Sequence, residues 1–211
     1  MKVVERILAE KLLEIKAVKL QPKSPFTWAS GWKSPIYCDN RKTLSYPGLR
    51  SFVKLELSRL VMEKYPDATA IAGVATGAIA QGALVAEEMH LPFVYVRSSP
   101  KDHGLENTIE GDLKPGQKVV VIEDLVSTGS SSLKAVEALR RAGGEVLGML
   151  ASFTYSFPLA EEKFRQAGVM LHTLCNYETI LETALETDYI TPGDMSALRE
   201  WRQDPASWHA D

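Results

Sequence analysis

The feature that most restricts the fold is a segment in which an apolar strand runs directly into a helix. Residues 118–144 read KVVVIEDLVSTGSSSLKAVEALRRAGG: a strand ending in two carboxylates, a hydroxyl-rich turn and an amphipathic helix. A strand followed at once by a helix is the repeating unit of α/β proteins, in which parallel strands are joined by helical crossovers. The segment therefore predicts a strand of a parallel sheet followed by its crossover helix.

The rest of the chain continues this alternation. Apolar runs predict strands over 69–74, 92–97, 118–123, 146–153 and 170–174, and helical periodicity predicts helices over 78–89, 130–142 and 159–167. This order predicts an α/β fold with a mainly parallel sheet flanked by helices.

The two ends of the chain differ from this central part. We predict an amphipathic helix over 3–17, short strands and turns over 22–47, a helix over 48–65 and a last helix with a tail from Asp194 to Trp208. Asn176 is a candidate cap for a helix that starts after it. Residues 98–116 are polar, glycine-containing and without periodicity, which is typical of a functional or disordered loop.

Charge and composition narrow the classes of function. The net charge of -3 gives no overall field that would attract nucleic acid or an anionic membrane. We find no apolar run with the length of a signal peptide or a membrane span. Cys38 and Cys175 have no CxxC spacing, which excludes a disulfide framework and favours a reducing compartment. We expect a cytoplasmic protein.

The turn after the strand has the chemistry of an anion cradle. Hydroxyls and backbone N–H groups gather there at a helix N-terminus, where unpaired donors and the helix dipole favour a phosphate. The residues are Ser127, Thr128, Gly129, Ser130 and Ser131. Gly129 lacks the Cβ that would keep an anion away from the backbone.

The two carboxylates before the turn refine this interpretation. Glu123 and Asp124 stand at the carboxyl end of the strand, the edge at which open α/β sheets bind ligands. They would repel a bare phosphate, but they could accept hydrogen bonds from ribose hydroxyls and favour positive charge on the ring. A phosphorylated ribose meets both demands. On spacing alone, an ordinary loop followed by a capped helix remains an alternative.

Residues 119–131, VVVIEDLVSTGSS, resemble the phosphoribosyl-pyrophosphate motif of type I phosphoribosyltransferases. Two further segments are similar to orotate phosphoribosyltransferases within that group. FTWASGWKSPIYCDNR, residues 26–41, resembles their N-terminal hood, and YVRSSPKDHGLENTIEG, residues 95–111, resembles their mobile catalytic loop. The resemblance implies a type I phosphoribosyltransferase fold in one domain over 1–211, with the hood mainly at 1–45, the core at about 46–190 and a C-terminal helix and tail to 211.

The resemblance also implies the reaction and the residues that carry it. Ribose 5-phosphate would pass from phosphoribosyl pyrophosphate to orotate, with Mg²⁺ held mainly by substrate and water and with no metal ligands from the protein. Lys101, His103 and Asp124 would be catalytic. The donor would contact Arg97, Lys101, His103, Glu123, Asp124, Leu125, Val126, Ser127, Thr128, Gly129, Ser130 and Ser131. Ser127 would also contact orotate, and Lys33, Tyr37 and Arg41 are further hood candidates.

The loop residues have their own chemical logic, because basic groups that arrive on closure stabilise the departing pyrophosphate. In the family this loop serves the neighbouring subunit, which implies a homodimer. A weaker candidate for pyrophosphate is GVATGAIAQG, residues 73–82, which opens a helix with small residues. A charged solvated loop and a packing turn are the alternative interpretations of these two segments.

The sequence departs from some bacterial members at four positions. Ala29, Gly77, Ser98 and Tyr155 stand where those members have basic residues, so recognition of the base is the least defined part of the prediction. A purine phosphoribosyltransferase, a non-catalytic sensor of phosphoribosyl pyrophosphate and a receiver-like nucleotide-binding domain are the competing hypotheses. The hood favours orotate, and the acidic chain shows no DNA-binding addition.

Overall fold

The structure is a computed structural model that describes residues 2–28, 31–97 and 108–208. The helices are α1 (Lys2–Glu14), α2 (Pro47–Lys64), α3 (Ile79–Met89), α4 (Ser130–Arg141), α5 (Pro158–Gln166), α6 (Tyr177–Glu186) and α7 (Met195–Gln203), with 3-10 turns at Asn40–Ser45 and Pro192–Asp194. The strands are β1 (Val18–Leu20), β2 (Phe26–Thr27), β3 (Lys33–Ser34), β4 (Ile36–Cys38), β5 (Ala70–Val74), β6 (Phe93–Val96), β7 (Ile109–Glu110), β8 (Lys118–Val126), β9 (Glu145–Thr154) and β10 (Leu171–Asn176).

A six-stranded sheet forms the centre of the molecule, in the order β10-β9-β8-β5-β6-β7. Strands β5, β6, β8, β9 and β10 are parallel, and only the short edge strand β7 runs antiparallel to its neighbour. Every residue of β5 is buried, as are residues 119–123 of β8. Such runs of apolar residues are expected where helices cover both faces of a sheet. The predicted mainly parallel α/β fold is confirmed.

A small antiparallel region precedes this sheet. Strand β1 pairs with β4, and β2 with β3, so that residues 18–38 form two short ribbons. Helix α1 packs against α6 and the edge strand β10. Leu8 and Leu12, on the buried side of α1, are almost fully inaccessible.

Two boundaries differ from the prediction in a way that affects the site. Strand β8 continues three residues past Glu123, because Leu125 and Val126 still pair with Phe153 and Thr154 of β9. The acidic pair therefore lies inside the strand. Within the segment predicted as a loop, Ile109 pairs with Val96 to form β7.

The predicted cap at Asn176 is confirmed. Its side-chain oxygen accepts a hydrogen bond of 3.0 Å from the backbone N–H of Thr179, in the first turn of α6. At the end of the described chain, α7 is the helix predicted in the stretch from Asp194 to Trp208, and it ends at Gln203, before the predicted tail. Among the helices that the structure describes, none has both the length and the apolar character needed to span a membrane.

Candidate active site

Three adjoining cavities lie at the carboxyl ends of the parallel strands. The cradle groove, of about 630 Å³, includes Thr128, Ser130, Ser131, Arg97 and Lys134 in its lining. The central cavity, of about 450 Å³, is lined by Cys38, Asp39, Arg41, Ala75, Thr76, Gly77, Asp124 and Leu125. The aromatic pocket, of about 390 Å³, is lined by Thr27, Trp28, Tyr37, Cys38, Leu125, Ser127 and Tyr155. A further cavity of about 640 Å³ near α5 and β10 shares no lining residue with these three.

The cradle groove is built around the first turn of α4. Gly129 is the N-cap and has a φ of 75°, a left-handed conformation that glycine adopts at little cost. A Cβ at this position would lie 2.9 Å from the ring of Phe164. Because glycine has no side chain to accept from the first-turn N–H groups, these donors are left for a ligand.

A lysine from another helix adds positive charge to the cradle. Lys163 of α5 donates a hydrogen bond of 2.7 Å from Nζ to Oγ of Ser130. The hydroxyls of Thr128 and Ser130 lie 3.5 Å apart. Together the helix end, the hydroxyls and the ammonium group form a site suited to a phosphate dianion.

The two neighbouring carboxylates have opposite surroundings, since successive side chains of a strand point to opposite faces. Asp124 lines the central cavity. The side chain of Glu123 is buried, accepts a hydrogen bond of 2.8 Å from Ser132 Oγ, and accepts another from the backbone N–H of Asp124 at 3.0 Å. Burial, reinforced by the nearby charge of Asp124, raises the pKa of Glu123 well above the ordinary value of 4.5.

Gly77 forms the wall opposite Asp124. It lies between β5 and α3, and a Cβ built on it would overlap the carboxylate of Asp124. The adjoining Ala75–Thr76 peptide bond is cis. Ala78, the N-cap of α3, provides no capping side chain, so a second helix N-terminus faces this region with its donors uncapped. This close approach requires glycine at position 77.

A buried asparagine joins the N-terminal ribbons to the acidic strand. Asn40 Nδ2 donates a hydrogen bond of 2.6 Å to the backbone carbonyl of Asp124, and Asn40 Oδ1 accepts one of 3.4 Å from the thiol of Cys38. Asn40 is only 4% exposed. Cys38 lines both the central cavity and the aromatic pocket. The hydrogen bonds of Asn40 therefore hold a wall shared by these two cavities in position relative to Asp124.

The aromatic pocket has flat and uncharged walls. The rings of Trp28 and Tyr155 lie 5.2 Å apart between centroids, and Tyr37 forms another side. Burial raises the pKa of the Cys38 thiol and of the Tyr155 hydroxyl well above their ordinary values, so both groups stay protonated at neutral pH. The pocket therefore suits a planar ring that can be stacked and hydrogen-bonded.

Known proteins are similar to this chain in sequence and in fold. The Phosphoribosyl transferase domain family matches residues 56–171. An orotate phosphoribosyltransferase of Phocaeicola vulgatus is 70% identical over 100% of this chain and 99% of its own length, and that of Porphyromonas gingivalis is 64% identical over 99% of each. The crystal structure of orotate phosphoribosyltransferase from Aeropyrum pernix superimposes with a TM-score of 0.76 at 31% identity, covering 87% of this chain and 99% of that one.

The chain belongs to the orotate phosphoribosyltransferase family. The resemblance seen in residues 26–41, 95–111 and 119–131 is thereby confirmed, as is the type I phosphoribosyltransferase fold. The alignment with the family members extends over almost the whole chain, and so includes the C-terminal region for which the sequence showed no role.

The structure brings most of the predicted site residues of this family member into the three cavities. Thr128, Ser130, Ser131 and Arg97 line the cradle groove, where Gly129 caps α4. Leu125 lies between the central cavity and the aromatic pocket, and Ser127 lines the latter. Glu123 and Val126 are buried in the strand. Lys101 and His103, predicted to be catalytic, lie outside the described residues.

The hood candidates of the family are divided among different places. Tyr37 lines the aromatic pocket and Arg41 the central cavity, whereas Lys33 lines neither and donates to Thr27 Oγ1 at 2.9 Å. Among the four departures, Tyr155 lies in the aromatic pocket and Gly77 in the central cavity. Ala29 and Ser98 lie outside the described residues.

Sequence reasoning missed three residues that line these cavities or contact residues that do. Asn40 stands within the hood motif, in the DNR that follows Cys38. The motif could have drawn attention to this residue, but the sequence does not show that it binds the carbonyl of Asp124. Trp28 stands in the same motif, and its contact with Tyr155 could likewise not be inferred from the sequence. Lys163 is an unremarkable helix residue in the sequence, and only the packing of α5 beside α4 brings it to the cradle.

Proposed function

We propose that this chain transfers ribose 5-phosphate from phosphoribosyl pyrophosphate to N1 of orotate, giving orotidine 5'-monophosphate and pyrophosphate. The observation that carries the proposal is the continuity of the site. One segment, residues 124–131, contributes to the cradle groove, the central cavity and the aromatic pocket. A phosphate, a sugar and a flat base joined in this order would occupy the three cavities together.

The cradle and the central cavity would hold the donor. We assign the 5'-phosphate to residues 127–131 and the ribose hydroxyls to Asp124, with the negative charge of this carboxylate favouring positive charge on the ring as the bond to pyrophosphate breaks. Glu123 lies beneath this site as a buried acid, in contact with Ser132. In this arrangement the carboxylate of Asp124 would bind the sugar, whereas the carboxyl of Glu123 contacts the first turn of α4 through Ser132.

Pyrophosphate would leave from the side of Gly77 and Arg97. The uncapped start of α3 offers backbone donors there, and Arg97 lines the adjoining groove while it also pairs with Glu110 at 3.4 Å. Lys101 and His103 would add donors to the leaving group. Because the transition state carries more charge on pyrophosphate than the ground state does, such donors accelerate the chemical step.

The aromatic pocket would receive orotate. Trp28 and Tyr155 offer faces for stacking, and Ser127 offers a hydroxyl to the base. Positioning and electrostatic stabilisation can provide most of the acceleration, and the proton on N1 of the orotate anion passes to water or to the departing pyrophosphate as the bond to the ribose forms. Tyr37 lines the aromatic pocket and Arg41 lines the central cavity, which supports these two hood residues as further contacts of orotate.

We propose Mg²⁺ as the cofactor, bound mainly through the oxygens of the donor and water. Among the described residues, no group of three or more His, Cys, Asp or Glu side chains is arranged to hold a metal ion. The carboxylate of Asp124 in the central cavity is a hard oxygen donor of the kind Mg²⁺ prefers. When bound, the ion would neutralise pyrophosphate charge.

We further propose that the chain acts as a single domain in a cytoplasmic homodimer, with the segment around Lys101 reaching the neighbouring subunit. Contact between the ribbons and the core supports the single domain, since Asn40 and Trp28 belong to the same site as Asp124 and Tyr155. The family resemblance of residues 95–111 supports the shared loop.

The loss of orotate absorbance in a mixture of purified protein, orotate, phosphoribosyl pyrophosphate and Mg²⁺ tests the function. We expect turnover with orotate, little with adenine, hypoxanthine or xanthine, and loss of activity on chelation that added Mg²⁺ restores. Turnover of a purine with none of orotate would contradict the proposed substrate. Binding of the donor without turnover of any base would favour a sensor.

A further inference from the structure

The C-terminal helix places a fully buried tryptophan beside the aromatic pocket. Trp201 of α7 is 0% exposed. Its ring centroid lies 5.4 Å from that of Trp28 and 5.7 Å from that of Tyr155, both in edge-on geometry. Since Trp28 and Tyr155 are walls of the pocket, Trp201 stands directly behind two of its faces.

The indole N–H of Trp201 also holds the hood. It donates a hydrogen bond of 3.1 Å to the backbone carbonyl of Lys33 in β3, 168 positions away in the sequence. Strand β3 pairs with β2, the strand that leads into Trp28. The indole of Trp28 in turn donates to the carbonyl of Ile36 at 3.2 Å. One side chain of α7 therefore contacts both the ring and the ribbon that carries it.

The core holds α7 firmly, so Trp201 can serve as a fixed support. Tyr177 of α6 donates a hydrogen bond of 2.9 Å from its hydroxyl to the carbonyl of Leu198, which is fully buried. Arg199 forms an ion pair with Glu178 across the same two helices. The ring of Tyr177 also contacts Trp201, with centroids 5.6 Å apart.

We propose that Trp201 is a positioning residue for the orotate base, which sets the ring of Trp28 and the adjoining hood ribbon at the distance that the base requires. The proposal rests on the proposed function, because it takes the aromatic pocket as the base site. It gives the C-terminal helix a role in recognition of the acceptor. Trp201 does not line the cradle groove, so recognition of the donor should depend on it much less.

The substitution Trp201→Phe tests this role because it keeps an aromatic ring and removes the N–H that holds Lys33. Loss of a buried hydrogen bond of ordinary strength predicts an increase in the KM for orotate of about fivefold to tenfold. The KM for phosphoribosyl pyrophosphate should stay within about twofold of the wild-type value, because the cradle is untouched. Trp208→Phe, the same change on the same C-terminal segment, should leave both values unchanged.

A merely structural role for Trp201 would give a different result. Val61→Ala, a core variant in α2, controls for general destabilisation: it should lower the melting temperature without separating the two KM values. Equal changes of both KM values in Trp201→Phe, or no change in either, would overturn the inference. A wild-type protein that does not turn over orotate would instead overturn the proposed function.

A second measurement keeps the inference testable if Trp201→Phe does not fold. The chain has four tryptophans, so ¹⁹F spectra of the full chain labelled with 5-fluorotryptophan can be assigned by single Trp→Phe changes at Trp28, Trp32 and Trp208. The remaining signal, from Trp201, should shift when orotate is added to the wild-type protein and stay in place when only phosphate is added. A signal that ignores orotate would contradict the proposal.

Discussion

The cradle groove and the aromatic pocket are built in opposite ways. The cradle is centred on consecutive residues of one strand-to-helix turn, where backbone N–H groups and short hydroxyls provide most of the binding groups, and Arg97 and Lys163 add positive charge from other elements. The aromatic pocket uses large rings from distant parts of the chain: Trp28 from the hood, Tyr155 after β9 and, behind them, Trp201 from α7. One site is thus local and polar, and the other is dispersed and aromatic.

Two parts of one ligand can be recognised independently when their sites are built in such different ways. A phosphate binds where a helix begins, so its site depends on the conformation of a few residues. A flat base needs rigid walls at a fixed spacing, so its site depends on the packing of several elements. Substitutions in the cradle half should therefore affect the donor, and substitutions behind the aromatic pocket should affect the acceptor.

The largest effect is expected where the two halves meet, at Gly77. In Gly77→Ala the new methyl group would overlap the carboxylate of Asp124, so one of them must move. Because displacement of a reacting group by about 1 Å can lower a rate about a hundredfold, we expect kcat/KM to fall at least about a hundredfold for both substrates. Steady-state kinetics with orotate and the donor varied in turn measure this.

Gly48→Ala is the matched control. No atom lies within 4 Å of a Cβ at Gly48, which is in the first turn of α2, so activity should remain at the wild-type level. If Gly77→Ala kept activity within about threefold of wild type, catalysis would not depend on the present position of Asp124. The proposal that the cradle and the aromatic pocket meet at this carboxylate would then be wrong.

The same contrast explains how much could be predicted from the sequence. Residues 118–144 gave strand, acidic pair, cradle and helix in the right order, because each depends on local periodicity and on the chemistry of neighbouring residues. The end of β8 was placed too early, since pairing of Leu125 and Val126 with β9 depends on a partner strand that local sequence does not reveal. Boundaries of this kind are set by tertiary contacts.

The dispersed half was less accessible to prediction. The motif of residues 26–41 indicated a hood but not that Asn40 would reach the carbonyl of Asp124, 84 positions away. Likewise, Trp201 stood in a segment without a motif, and only folding places its ring behind Trp28. The roles of Lys101 and His103 stay predictions, because those residues lie outside the part of the chain that the structure describes.

A second prediction separates the two neighbouring carboxyls, Glu123 and Asp124. The pKa of Glu123 is raised in the folded protein, so its contribution to stability is present at low pH and is lost as pH rises through the folded pKa. Glu123→Gln removes the charge that burial opposes while keeping an oxygen that can accept from Ser132. As the pH rises above the ordinary carboxyl pKa of 4.5 and through the raised pKa of the folded protein, the wild-type protein should therefore lose stability relative to this variant.

Urea unfolding at several pH values measures the difference between the two proteins. Ser132→Ala removes a hydrogen bond that favours the ionised carboxyl, so it should deepen the loss of stability at high pH. A difference between Glu123→Gln and wild type that stays constant across the whole pH range would show that the carboxyl of Glu123 does not titrate differently in the folded state.

The smallest expected effect lies at the edge of the cradle, where Lys163 contacts Ser130. Lys163→Met keeps most of the side chain and removes the charge. Since a partly exposed charge contributes modestly, the KM for phosphoribosyl pyrophosphate should rise about threefold to fivefold, more at low salt than at high salt. Lys54→Met, which breaks an ion pair with Glu88 away from the three cavities, is the matched control.

Lys163→Met and Trp201→Phe together test whether the two halves are independent. The first should change the KM for the donor and leave that for orotate, and the second should do the reverse. Because Lys163 and Trp201 share no contact in the described structure, their effects on kcat/KM should be additive in free energy in the double variant. A clear departure from additivity would mean that the cradle and the aromatic pocket are coupled through β8, and that the base is recognised only after the phosphate is in place.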